Sequence, residues 1–134
     1  MNKNDLFGDV ICVYTRAQAI DDGVLVDVSE IASEAGFWMP VAVTRAVWGK
    51  YIAWTGEDTD RQSYQDESGR LWDVIWMLRM ALNRSKGKSV AFYELYVIPR
   101  DGRSKKPKKV HLKAVVHGGD NGKPVITVML PTED

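Results

Sequence analysis

The chain of 134 residues contains one cysteine, two histidines and five prolines. A lone Cys12 excludes an intrachain disulfide, which fits a reducing compartment. It lies in the apolar run Val10–Val13 and reads as a small buried hydrophobe. No carboxylate or second cysteine stands at a ligand-like spacing, so no metal site is expected. No nucleotide or cofactor motif is present, and no cofactor is expected. No stretch approaches the ~20 apolar residues of a membrane span. Met1–Asp5 is polar and no apolar segment follows a basic one, so no secretory leader is expected. These absences point to the cytoplasm of a bacterial cell, without membrane contact.

What the chain does have is ordinary globular composition, with 45% hydrophobic and 27% charged residues. Its length suits a single domain over residues 1–134. The formal net charge of zero conceals a division. Residues 1–83 carry 7 Lys/Arg against 13 Asp/Glu, and residues 84–134 carry 11 against 5. Such asymmetry raises the question of charged partners, although two opposite surfaces also attract each other within a fold.

Val10–Tyr14 reads as a first strand. Thr15 and Gln18 match a capping box for a helix over Arg16–Asp22, closed by Gly23. A short strand over Val24–Val28 and a helix over Glu30–Ala35 follow, with Ser29 as cap and Gly36 as stop. Pro40 makes Phe37–Val43 an edge strand or extended segment. Thr44 caps a helix over Arg45–Trp54. The acidic stretch Thr55–Gly69 contains a turn at Asp66–Gly69, which suggests a hairpin of Ser63–Gln65 with Arg70–Trp72. The next helix then spans Val74–Asn83 behind Asp73, or else starts near Ser68. Leu71, Ile75, Leu78 and Leu82 form its stripe, widened by Trp72, Trp76 and Met80, which predicts deep burial. Ser89–Ile98, Val110–His117 and Val125–Leu130 read as strands of an antiparallel meander, with a strong turn at Gly118–Gly122. The expected class is α+β, with short helices and one buried helix on an antiparallel sheet.

Four features are candidates for function. The loop Pro99–Lys109 holds Arg100, Arg103, Lys105, Lys106, Lys108 and Lys109, a set able to follow phosphates. Phe92, Tyr93 and Tyr96 on the preceding strand offer stacking faces. Lysines on loops also keep sheet edges from pairing, so the same residues have a structural explanation. Second, His111, Lys113 and His117 share one strand face, a set suited to acid–base work on RNA or a nucleotide. A solvated strand face is the simpler explanation. Third, Tyr14-Thr15-Arg16 and Thr44-Arg45 each open a helix, and together could line an anion-binding cleft. Two helix caps explain them too. Last, Trp38, Trp48, Trp54, Trp72 and Trp76 all fall in the acidic part, and one or two exposed there would mark a partner surface.

Several long phrases resemble one family. They are Tyr14–Ser29, Pro40–Trp48, Gln65–Met77, Pro99–Arg103 and Pro124–Asp134. In that order the chain resembles small uncharacterised bacterial proteins carried on plasmids and other mobile DNA. The resemblance implies an accessory product of a mobile element and supplies no activity. The sequence reading is therefore a non-enzymatic binding protein whose partner is a nucleic acid or a host protein. The alternative is a small enzyme acting on RNA or a nucleotide through the His111/Lys113/His117 face. A homodimer joining acidic and basic surfaces is a third possibility.

Overall fold

A computed structural model describes residues 14–134. The strand expected over Val10–Tyr14 falls almost wholly outside them, as does Cys12. Tyr14 itself is exposed coil, with its hydroxyl on Asp22 Oδ2 at 2.7 Å. The chain is α+β, and five strands form one sheet in the order β1-β2-β5-β4-β3.

Helix α1 (Arg16–Asp21) starts as its sequence predicts. The Thr15 hydroxyl accepts from Gln18 N–H, and the Gln18 side chain returns to the Thr15 backbone. Gly23, at φ +77°, turns the chain into β1 (Leu25–Asp27). Helix α2 (Ser29–Glu34) is capped differently from expectation. Val28 holds the N-cap, while the Ser29 hydroxyl donates to Asp27 Oδ1 at 2.6 Å and accepts from Val41 N–H. Ser29 therefore ties the helix to the sheet instead of closing its end.

Strand β2 (Val41–Thr44) corrects the edge assignment. It lies between β1 and β5, antiparallel to the first and parallel to the second, so the sheet is mixed. Val41, Ala42 and Val43 are fully buried, as expected of a strand covered on both faces. Pro40 does no harm because it precedes the ladder and supplies only its carbonyl, which accepts from Ile126 N–H at 2.9 Å.

The helix expected over Arg45–Trp54 is shorter and irregular. One α-helical turn, α3 (Arg45–Val47), passes into a π-helical turn over Trp48–Ile52. The wider turn carries both Val47 and Ile52 into the core. The hairpin expected at Ser63–Trp72 does not exist. Thr55 and Asp58 form a capping box for α4 (Gly56–Arg61), and Asp66 caps α5 (Glu67–Arg84) through Gly69 N–H at 2.6 Å. Asp73 is a helical residue inside α5.

The buried stripe of α5 is Val74, Ile75, Leu78 and Ala81, rotated from the expected one. Leu71 and Leu82 flank it, and Trp72 and Trp76 lie outside it at 36% and 41% exposure. Beneath α5 run β3 (Val90–Val97), β4 (Lys108–Gly118) and β5 (Pro124–Met129), an antiparallel meander. Tyr93, Leu95, Leu112, Ala114, Ile126 and Val128 meet the helix in one core. Each Leu, Ile or Val side chain among them contributes about 1.5–3 kcal/mol on burial. No helix is long and apolar enough to cross a membrane among the described residues.

Candidate nucleic-acid interface

The core-facing side of β3 is regular, so its other side must face outward. Ala91, Tyr93, Leu95 and Val97 are buried, whereas Phe92 and Tyr96 are 67% and 64% exposed. Tyr93, one of three aromatics expected to stack on a ligand, is instead a core residue whose hydroxyl donates to Val74 O at 3.1 Å. Burial pushes that hydroxyl well above the usual phenol range.

The antiparallel register sets Phe92 opposite Lys113, Glu94 opposite His111 and Tyr96 opposite Lys109. Directly opposed residues share a face, with Cβ atoms about 4.5–5.5 Å apart. The outer face of β3 and β4 is therefore a checkerboard of aromatic rings and nitrogen bases with one acid at its centre. Glu94 lies 3.7 Å from Lys109 Nζ and 3.6 Å from His111 Nδ1. These pairs are half exposed, so they orient side chains more than they stabilise the fold.

The basic loop joins β3 to β4 at one end of this face. It is held by a residue with no sequence motif to mark it. Gln62, 5% exposed, donates through Nε2 to Pro99 O at 2.7 Å and Ser104 O at 2.6 Å. Its Oε1 accepts from Gly102 N–H at 3.1 Å. Asp101 accepts from Arg103 N–H, Ser104 N–H and the Ser104 hydroxyl. These bonds to the ionised form hold the Asp101 carboxyl well below the usual carboxylate range. Its stabilisation of the turn is thus fully present above the ordinary carboxylate pKa of about 3.9 and is lost as pH falls through the depressed value. Gln62→Ala should loosen the loop without unfolding the sheet. Amide exchange at Gly102 and Ser104 is expected to speed up at least tenfold, while β4 amides stay protected.

Of the six basic residues, Arg100 turns back onto Asp58, with Nε 2.7 Å from Oδ2. It joins the acidic and basic parts of the chain and is largely neutralised there. Arg103, Lys105, Lys106, Lys108 and Lys109 are exposed. Only Lys109 of these five forms an ion pair among the described residues.

His111, Lys113 and His117 share a face but not a site. The two histidines are six residues apart, about 20 Å along the strand. Lys113 donates to Glu133 O at the end of the chain. His117 Nε2 lies 2.8 Å from Thr127 Oγ1, and Nδ1 lies 3.2 Å from Gly118 O, a carbonyl that can only accept from it.

His117 and Lys113 border a cleft of about 990 Å³ with Tyr14, Thr44, Arg45, Thr127 and Glu133. The two Thr-Arg helix openings do meet near it, but the chain already engages the first N–H groups of α1 and the side chains of Thr44 and Arg45, while Arg16 Nε and Nη2 are buried without a partner among the described residues. Asp120 accepts from Arg16 N–H at 2.8 Å and Ala17 N–H at 3.0 Å. Arg45 donates to Gly23 O and Asp22 O. Thr44 donates to Glu133 at 2.8 Å. No group of three or more His, Cys, Asp or Glu side chains is placed to hold a metal among the described residues.

Residues 1–134 match a family described as a family of unknown function, DUF6573. The chain belongs to the DUF6573 family. No curated protein and no solved structure matches this DUF6573 chain. Its chemistry must therefore be read from its own surface, where Trp38, Trp72 and Trp76 are also exposed and the last two stack at 5.9 Å.

Proposed function

We propose that this protein binds single-stranded nucleic acid without processing it, using the outer face of β3 and β4 and the loop that joins them. The observation that carries this reading is the register that alternates Phe92 and Tyr96 with Lys113, His111 and Lys109. Bases stack on exposed rings, and phosphates follow nearby cations. The Gln62-anchored loop extends the cationic track. The phrase-level resemblance to proteins of mobile DNA supports a role as an accessory product of such an element.

The test is a titration with fluorescein-labelled single-stranded RNA at two salt concentrations. Phe92→Ala and Tyr96→Ala are each expected to weaken binding by about 1–3 kcal/mol, a loss of roughly 5- to 150-fold. Both rings are solvent-exposed, so the melting temperature should hardly move. Unchanged affinity in the double variant would refute the stacking role.

A second reading, an enzyme acting on RNA or a nucleotide, has one observation in its favour. His117 and Thr127 line the large cleft with their side chains in contact. Gel analysis of the RNA after each titration tests it. Cleavage by the wild type and its loss in His117→Ala would replace the binding reading.

A further inference from the structure

We propose that β3 is also a dimerisation edge, at which two copies of this chain pair antiparallel about a two-fold axis at Tyr93. The backbone supports this first. Val116 N–H donates to Ser89 O at 2.8 Å, so Ser89 and Val116 form a hydrogen-bonded pair. The alternation of an antiparallel ladder repeats that pattern at Ala91, Tyr93, Leu95 and Val97. Val90, Phe92, Glu94 and Tyr96 therefore turn their N–H and C=O groups away from β4. Among the described residues no strand lies beyond β3.

Edges left unpaired usually carry prolines, bulges or several lysines. The eight residues of β3 read VAFYELYV and contain one charge. An axis at Tyr93 uses all four outward residues, pairing Val90 with the second copy's Tyr96 and Phe92 with its Glu94. An axis at Glu94 would oppose two carboxylates, which is unfavourable.

The self-complementary edge takes a second copy as its occupant, and the charges along α5 add to that pairing. Arg70 donates to Ile98 O at 2.9 Å and Tyr93 reaches Val74 O, so α5 starts beside the end of β3 and runs antiparallel to it. On α5 and its flanks, exposed Asp66, Glu67 and Asp73 lie at that end, beside the cationic β3–β4 loop, and exposed Arg84, Lys86 and Lys88 lie at the other. A two-fold axis across the edge brings the acidic end of one α5 toward the basic end of its copy. Trp72 and Trp76 border a cavity of about 450 Å³ beside Glu94, Leu95 and Tyr96. The second copy's Ala91, the smallest core-facing residue of its strand, arrives opposite Leu95 and leaves room for these rings. Pairing also joins two outer faces into one continuous platform.

Light scattering on the size-fractionated full chain, with no RNA present, tests the proposal. The expected mass is twice 15.1 kDa at low salt, with dissociation favoured at high salt. Glu94→Pro removes an outward N–H and leaves the β3–β4 ladder intact, so it should give folded monomer by circular dichroism. Lys86→Glu with Lys88→Glu should weaken the dimer at least tenfold, and adding Glu67→Lys with Asp73→Lys should restore it. A monomeric wild type at micromolar concentration and low salt would overturn the proposal. So would a dimer indifferent to both the proline and the charge reversals. If the proline variant fails to fold, the reversal and its rescue decide.

Discussion

Lys105→Glu, Lys106→Glu, Lys108→Glu and Lys109→Glu in one chain should reduce affinity for single-stranded RNA by several hundred-fold near 0.1 M salt. Neutralising Z phosphates of a single strand gives a slope of log K against log salt of about −0.7Z. Four such contacts contribute about −3 to the slope, and that contribution should disappear in the variant. The lysines are exposed, and only Lys109 has an ion-pair partner among the described residues, the half-exposed Glu94. Thermal stability should therefore change by less than about 1 kcal/mol. Equal slopes in wild type and variant would remove the loop from the interface. Loss of affinity with an unchanged slope would indicate a folding defect in place of lost phosphate contacts.

Arg70→Leu should have the largest effect on stability. Arg70 is 5% exposed, donates from Nε to Ile52 O at 3.1 Å and from Nη1 to Ile98 O at 2.9 Å, and lies 4.5 Å over the Trp54 ring. Burial lowers its pKa from the ordinary arginine value. One guanidinium thus closes the end of the π turn, the end of β3 and the start of α5. Leucine fills part of the volume but leaves two carbonyls without this donor. Each unsatisfied buried acceptor costs about 1–3 kcal/mol. A total loss of about 3–5 kcal/mol is expected, or roughly 10–20 °C in melting temperature. Urea unfolding followed by tryptophan fluorescence measures it. Arg70→Lys should recover part of the loss, because one ammonium cannot span both carbonyls in the same geometry. A loss below 1 kcal/mol in Arg70→Leu would show that these contacts contribute little.

Local chemistry was readable where it acts over a few residues. The Thr15–Gln18 box, the meander strands and the α+β class follow from caps, alternation and turns. Thr55 and Asp58 carried an equally good box for α4, but the acidic run around it read as loop. The stripe of α5 departs from its sequence pattern because Leu71 and Leu82 are apolar without being central, while Val74 and Ala81 are small and central. Trp72 and Trp76 fit a helical stripe yet lie outside the core, since what covers a helix face is a tertiary fact. Pro40 argued against an interior strand only because its place before the first paired residue was not visible. The loop cations could be listed from sequence. Their anchoring by Gln62, 37 residues upstream of Pro99, could not.

The position of β5 has a consequence for synthesis. It lies between β2 and β4, so the middle of the sheet is made from residues 124–129. During translation the apolar β2 emerges more than 80 residues before its parallel neighbour. Until then its second edge must wait unpaired, exposed to other nascent chains or held by a chaperone. Contacts of such long sequence separation slow folding and prolong that vulnerable interval. A chain released before residue 124 would therefore hold helices and a β3–β4 hairpin but no completed sheet.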